Sequence, residues 1–292
     1  MMEQAIQDRW RMLCAPAPSL RALVRYYHVE SGTPGQVMIP ASPYPMLTFM
    51  LSGGSVVHGP GAVTTLYTGP LLSGPQSTAI AAHWLPGTRF VSAICAPASF
   101  GTLFGVDLAE LRDRSVPIDM VAPHLHSATL AHMLHGAVSP RAAVACMEGW
   151  LLNLARQREM RLLGGFALPG AMLFAPASEI ARQVGLSVRQ LERKHRTAYG
   201  LTLGENRRMA RYVTALGMLI RQPGQRGILT GVANLAGYHD QAHMIHDFRQ
   251  ILGIAPGALL SDTGSGEVDV LRLLRYDAGE TSLVAAPADM LT

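Results

Sequence analysis

Charge is scarce in this chain of 292 residues: Asp, Glu, Lys and Arg together make up 15%, against about 25% in an average soluble protein. Hydrophobic residues reach 49%. Low charge with high hydrophobicity is the opposite of what keeps a chain disordered. From Ser31 to Thr88 there is no charged residue at all. That span still cannot cross a membrane as a helix, because eight prolines and nine glycines interrupt it and a crossing needs about 20 consecutive apolar residues. The opening residues MMEQAIQDRWRMLC carry acids early and lack the apolar centre of a signal peptide. A cytoplasmic protein with no membrane partner is expected.

Cysteine is nearly absent too. Cys14, Cys95 and Cys146 are odd in number, far apart and form no Cys-x-x-Cys, which excludes a disulfide framework and a cysteine zinc site. There is no Gly-x-Ser-x-Gly, phosphate-binding loop or paired-acid motif. A metal site in a β-barrel needs a His-x-His with a nearby carboxylate and a distant third histidine. Here His58 and His83 stand alone, and no acid lies between Glu30 and Asp107. His124, His126, His132 and His135 cluster in sequence and read as surface or interface histidines. The expectation is a protein with no catalytic residue, no metal and no cofactor.

What the chain does have is arginine, 23 of its 24 basic residues, unevenly placed. Residues 176–260 hold 11 basic and 5 acidic side chains, a balance of +6, whereas residues 261–292 hold 2 and 6, a balance of −4. Arginine suits bidentate recognition of phosphate and guanine.

The N-terminal part reads as short strands about ten residues apart with Pro and Gly punctuation: Gln36–Ile39, Met46–Leu51, Ser55–His58, Thr64–Thr68, Ala79–Trp84 and Arg89–Ala96. Such spacing suggests a small sandwich or barrel. With no charge on either strand face, the sheet must be covered by helices, closed around a pocket, or covered by another subunit. Helices follow near Phe100–Phe104, Asp107–Arg114, Ser127–His135 and Pro140–Arg158, and Gly164–Gly165 with Pro169 marks a boundary.

Two places beyond that boundary share one pattern. Ile180-Ala181-x-x-x-Gly185-Leu186 is echoed by Val232-Ala233-x-x-x-Gly237-Tyr238. A small residue lets two helices approach closely and a glycine relieves the positive-φ strain of the turn between them, the signature of a helix-turn-helix. The echo continues: Leu191, His195, Gly200 and Leu201 are followed 53 residues later by Met244, Phe248, Gly253 and Ile254. On the helix Val188–Tyr199, Leu191, His195 and Tyr199 share an inner face, while Arg189, Glu192, Arg193 and Arg196 share another. On Asp240–Leu252, Met244, Phe248 and Leu252 point inward, leaving Gln241, Ala242, Ile245, His246 and Arg249 outward. Gln241 suits an adenine edge, Ala242 or Ile245 a thymine methyl, and Arg249 a phosphate. Met209, Tyr212, Val213, Leu216, Leu219 and Ile220 form the stripe of a long connecting helix that ends at Pro223–Gly224.

Across Ala177–Leu260 these residues resemble the AraC/XylS-type transcriptional regulators. The motif runs Ile-Ala-x-x-x-Gly-Leu-Ser, a linker helix, then Val-Ala-x-x-x-Gly-Tyr, Asp-Gln-Ala-His and Phe-Arg-x-x-x-Gly-Ile-x-Pro256. The resemblance implies base-reading roles for Arg189, Glu192, Arg193, Gln241, Ala242 and His246, with Gln190, Arg196, Ile245 and Arg249 beside them. Histidine at 246 replaces the family's usual arginine, and His195 stands where a core phenylalanine is usual. Pro18-Ser-Leu, the Ser55–Gly59 stretch and Phe100-Gly-Thr-Leu-Phe-Gly look similar to the cupin-like domain that precedes this module in some regulators.

The fold expected is therefore α+β, a β-rich cupin-like barrel followed by an all-α domain with two helix-turn-helix units. Domains are expected at 1–120 (sensing and dimerisation), 121–165 (helical connector), 166–261 (DNA binding) and 262–292 (acidic tail). The activity implied is sequence-specific binding of duplex DNA and control of transcription, as an activator that works with RNA polymerase, and it is not an enzyme. An unknown small-molecule effector would sit in the barrel, with Tyr44, Phe49, Trp84 and Phe90 as its lining, although a close-packed core explains the same residues. A homodimer is expected through the uncharged span and the helix Pro140–Arg158, unless helices of the same chain cover the sheet. The alternatives are a small-molecule-binding or enzymatic barrel with secondary DNA binding, and a nonspecific architectural DNA protein.

Overall fold

The computed structural model describes residues 10–58, 64–125, 127–157, 166–168, 170–221, 227–260 and 277–284. The N-terminal half is two antiparallel sheets. The larger joins β1 (Met12–Cys14), β2 (Val24–Ser31), β4 (Met46–Ser52), β7 (Pro70–Ser73), β9 (Arg89–Cys95) and β10 (Ser115–Pro117) in the order β1-β2-β9-β4-β7-β10. The smaller joins β3 (Gly35–Ile39), β5 (Ser55–His58), β6 (Thr64–Tyr67) and β8 (Ile80–Trp84) in the order β3-β8-β5-β6. All six strands expected from the sequence form, with ends shifted by a residue or so. Sequence reading missed β1, β2, β7 and β10. The helix end expected at Pro223–Gly224 and the boundary expected at Gly164–Gly165 with Pro169 lie outside the described residues.

The middle of the large sheet is buried on both faces, which accounts for the absence of charge on β4 and β7. Successive side chains of a strand point to opposite faces. On β2, β4 and β9 this sends Tyr27, Val29, Leu47, Phe49, Val91, Ala93 and Cys95 into one core. Tyr26, His28, Glu30, Met46, Thr48, Met50, Phe90, Ser92 and Ile94 face the other way and line a cavity. The pairs Glu30↔Phe90, His28↔Ser92 and Tyr26↔Ile94 fix the register. A slip of one residue would exchange the two faces entirely.

Among the described residues five α-helices follow β9 in this half, with β10 between the second and third: α1 (Pro97–Phe104), α2 (Leu108–Leu111), α3 (Ile118–Val121), α4 (Ser127–His135) and α5 (Pro140–Gln157). α5 buries Val144, Met147, Trp150, Leu151 and Leu154. These side chains share a core with the first face of the sheet. Trp150 meets Phe49 edge-on, with ring centroids 6.4 Å apart, and stacks beside Phe104. The segment expected to be a connector thus contributes helices to the N-terminal core. The apolar stripe expected to mark a dimer interface is covered by the chain's own sheet, so it carries no argument for a second copy.

The C-terminal half is helical: α6 (Ala177–Gln183), α7 (Val188–Tyr199), α8 (Leu203–Ile220), α9 (Leu229–Leu235) and α10 (Gln241–Ile251), with α11 (Ala278–Val284) beyond. Of the expected acidic tail, only residues 277–284 are described. There Glu280 accepts a hydrogen bond from Arg11 at 2.6 Å, which ties α11 to the start of the chain. No helix among the described residues is long and apolar enough to cross a membrane.

Candidate nucleic-acid interface

The two helix-turn-helix units have the same local construction. Ile180 and Ala181 in α6, and Val232 and Ala233 in α9, are buried. Each turn places its glycine in the left-handed region, Gly185 at φ 68° and Gly237 at φ 78°. Each then closes with the same long backbone bond: Leu186 N–H to Ala181 O at 2.8 Å, and Tyr238 N–H to Ala233 O at 2.9 Å. The repeat seen in sequence is a repeat in hydrogen bonding.

α8 joins the units. Its 18 residues make a rod of about 27 Å at 1.5 Å per residue. Leu203 and Ala210 enter the core of the first unit. Met209, Tyr212, Leu216 and Leu219 enter that of the second, where the Tyr212 ring meets Phe248 edge-on at 5.1 Å. Thr202 and Glu205 form a capping box at its start. Arg207 reaches back to donate to Leu173 O at 2.6 Å and to Ala175 O, holding the chain that enters α6. Arg208 donates to the buried carboxylate of Asp247 at 2.8 Å, and so fixes α10 on α8.

On α7, Leu191, His195 and Tyr199 are buried as expected. Arg189, Gln190, Arg193, Lys194 and Arg196 are exposed, and Glu192 is half-buried. The Gln190 carboxamide is engaged in a capping box with Ser187, accepting its backbone N–H at 2.9 Å. On α10, Ala242, His246 and Arg249 are exposed, while Gln241 and Ile245 are half-buried. Gln241 Oε1 accepts from Thr230 Oγ1 at 2.9 Å, so that residue is already tethered to α9. Asp240 caps α10 by accepting from His243 N–H.

His195 is the departure inside the first unit. Its Nδ1–H donates to Leu201 O at 2.9 Å and its Nε2 accepts from Asn206 Nδ2 at 3.2 Å. Both ring nitrogens are satisfied only in the neutral form. Burial holds its pKa down at about 4, although the bond to Leu201 works the other way. The ring stacks on Tyr199 at 4.5 Å, and the Tyr199 hydroxyl accepts from Leu168 N–H at 2.8 Å. Tyr199 is shifted up, first by burial.

The N-terminal half touches both units. Against the first, Arg112 pairs with Glu205 at 2.8 Å and Thr197 donates to Asp107 at 3.3 Å. Burial acts to raise the Glu205 pKa, but bonds from Thr202 and Arg112 outweigh it and the net shift is downward. Gly200 sits so close to Leu108 that a β-carbon there would lie 2.6 Å from its carbonyl oxygen. Against the second, Ala79 N–H donates to Ile251 O at 2.7 Å.

The cavity between the sheets has a volume of about 200 Å³. Three of the four expected lining residues, Tyr44, Trp84 and Phe90, do line it. Phe49 does not, because its position in β4 has the other parity and puts it under Trp150. The lining also includes Glu30 and His28, which sequence reading passed over. Tyr26, Tyr44, Met46 and Ile94 belong to the cavity wall and to the core of the first unit. Met38 belongs to the wall and packs on the core of the second. No group of three or more metal-ligating side chains occurs among the described residues.

Residues 180–262 match the family model of a helix-turn-helix domain. This segment is an AraC-type helix-turn-helix domain. Comparison with curated proteins gives no match. Among solved structures, ToxT from Vibrio cholerae is similar at 10% identity, covering 80% of this chain and 97% of that one, with a TM-score of 0.44. ToxT with an unsaturated fatty acid bound gives 10%, 80%, 98% and 0.42. The AraC-like transcriptional activator CuxR gives 10%, 70%, 88% and 0.28.

Proposed function

We propose that the protein binds duplex DNA at specific sequences through both units of its AraC-type domain and controls transcription. One observation carries this reading: two turns with the same hydrogen-bond offsets, joined by one shared helix, each present exposed arginine on the second helix of the pair. That helix is the one that enters a major groove. Arg189, Arg193, Gln241, Ala242 and His246 are assigned to base edges, and Arg196 and Arg249 to phosphate. The half-buried Glu192 and Ile245 stand at the margins of the contact, and Gln190 serves first as a cap. Activation through RNA polymerase, in response to a molecule held between the two sheets, is the regulatory mode proposed. Residues up to 157 are assigned to the sensing domain. This reading does not require a homodimer, since the apolar face that suggested one is covered within the chain.

DNase footprinting of the full chain on the DNA around its own gene tests the proposal. One protomer should protect two short blocks about one helical turn, roughly 34 Å, apart on one face of the duplex. A single block, or equal affinity for random DNA, would overturn it.

A further inference from the structure

We propose that Thr230 is a specificity-determining residue of the second unit: by holding Gln241 Oε1 on α9, it leaves the Gln241 side chain to face the major groove as a hydrogen-bond donor, which reads guanine in preference to adenine. The inference rests on the reading of α10 as a recognition helix and adds which base one of its side chains selects.

The geometry of the pair comes first. Thr230 Oγ1 donates to Gln241 Oε1 at 2.9 Å, across the turn that separates α9 from α10. The Gln241 side chain makes this one hydrogen bond among the described residues. Asp240 caps α10, so Gln241, its first residue, is not drawn into the helix end as Gln190 is in the first unit. The first unit has no such pair. Ile180 and Val232 are 52 residues apart before the turns, and Leu191 and Met244 are 53 apart after them. Ser178 and Val188 therefore stand where the second unit has Thr230 and Gln241, and a valine side chain offers no acceptor.

What the tether does to readout follows from the carboxamide. A free glutamine presents its oxygen and its NH2 together, the bidentate pattern that matches the N6 amine and N7 of adenine. The two ends of an amide diverge from one carbon. An oxygen turned to α9 leaves the NH2 as the group that reaches the groove, and an NH2 only donates. Guanine shows two adjacent acceptors there, N7 and O6; adenine shows N7 beside an amine, and cytosine only an amine. A donor is met twice on guanine, is opposed by the neighbouring amine on adenine, and finds no acceptor on cytosine. The tether also acts before DNA arrives. Ordering a glutamine costs rotamer freedom, and a side chain already held gives up less of it on binding.

Mobility-shift titrations of the full chain, on the DNA it protects around its own gene, decide. Gln241→Ala locates the base pair concerned, as the one whose replacement ceases to matter. With each of the four base pairs placed there, the wild-type chain should bind guanine about two- to tenfold more tightly than adenine, the range of one net hydrogen bond. Thr230→Val, which keeps the shape and removes the hydroxyl, should erase that preference or turn it to adenine and leave other positions unchanged. Thr230→Ser should retain it, and in the Gln241→Ala chain Thr230→Val should add nothing. Four results would each overturn the assignment: tightest wild-type binding to any base but guanine, an unchanged preference everywhere in Gln241→Ala, an equal loss at all positions in Thr230→Val, or additive effects of the two substitutions. Without DNA, the Gln241 carboxamide signal in the amide NMR spectrum should move in Thr230→Val and stay in Thr230→Ser. An unmoved signal overturns this inference alone, whereas absence of the two-block footprint overturns the DNA reading and this inference with it, so the two failures are distinguishable.

Discussion

Where the second helix-turn-helix unit buries Phe248, the first buries His195, and around that exchange the two units divide their work. The first has four exposed cations on its recognition helix; the second has one arginine, two histidines and an exposed alanine. Equal turns and unequal faces teach that the shared backbone sets where the helices sit, while the side chains decide what chemistry each one presents. The first unit is rich in exposed charge, and its core contains a ring whose two hydrogen bonds need it neutral.

The largest expected break in this comparison is therefore acid. His195 titrates near 4 in the folded chain against an ordinary 6.5. Above pH 6.5 neither folded nor unfolded chain holds the proton. As pH falls from 6.5 towards 4 the unfolded chain takes it up and the folded chain refuses it, so stability is lost through that window. The loss should reach about 2–3 kcal/mol at pH 4.5. Denaturant unfolding at pH 7 and 4.5 should show this dependence shrink by that amount in His195→Phe, which copies the second unit. An unchanged pH slope would refute the account.

Next in size is the division between base and phosphate. Arg193→Ala should cost about 1–3 kcal/mol on the preferred site and relax preference at one position. Arg249→Ala should weaken specific and random DNA alike and lower the salt slope by about one unit. Mobility-shift titrations on both DNAs, over a salt series, check the pair. Equal losses for Arg193→Ala on both would count against its role.

Docking gives the smallest effect. The first unit is held to the N-terminal half partly by Arg112 and Glu205, each about a third exposed. A double-mutant cycle on this pair should return about 0.2–1 kcal/mol, fading with salt. The backbone bond from Ala79 to Ile251 on the second unit offers no side chain to remove, and stability there should respond little to salt. A coupling above about 2 kcal/mol would mean that the pair is far less solvated than its exposure indicates.

How much was legible depended on whether the signal was local. Ile180-Ala181 and Gly185, repeated at Val232-Ala233 and Gly237, encode their own turn, so both units could be read with their inner residues. Most strands bounded by Pro and Gly were legible for the same reason, although β7, between Gly69 and Gly74, was missed because it is only four residues long. β2 was not, because Tyr26, His28 and Glu30 point into a cavity and leave a mixed pattern that resembles neither a solvated nor a buried strand. Phe49 was misplaced by parity: its neighbours Thr48 and Met50 face the cavity, and in a run whose one polar residue before Ser52 is Thr48 the two faces look nearly alike. The apolar stripe of α5 was visible, but that its partner is the chain's own sheet is a tertiary fact. Glu30 had a signal that was not used, a lone acid at the edge of a span of 58 residues without charge.

The cavity wall carries one more consequence. Tyr26, Tyr44, Met46 and Ile94 present atoms to the cavity and to the first unit, and Met38 does so for the second. A wall shared in this way cannot transmit in one direction only. If filling the cavity shifts these side chains enough to change DNA affinity by some factor, seating the two helices on DNA must change the cavity's affinity by the same factor. The operator is then as much an effector of the cavity as the small molecule is of the operator.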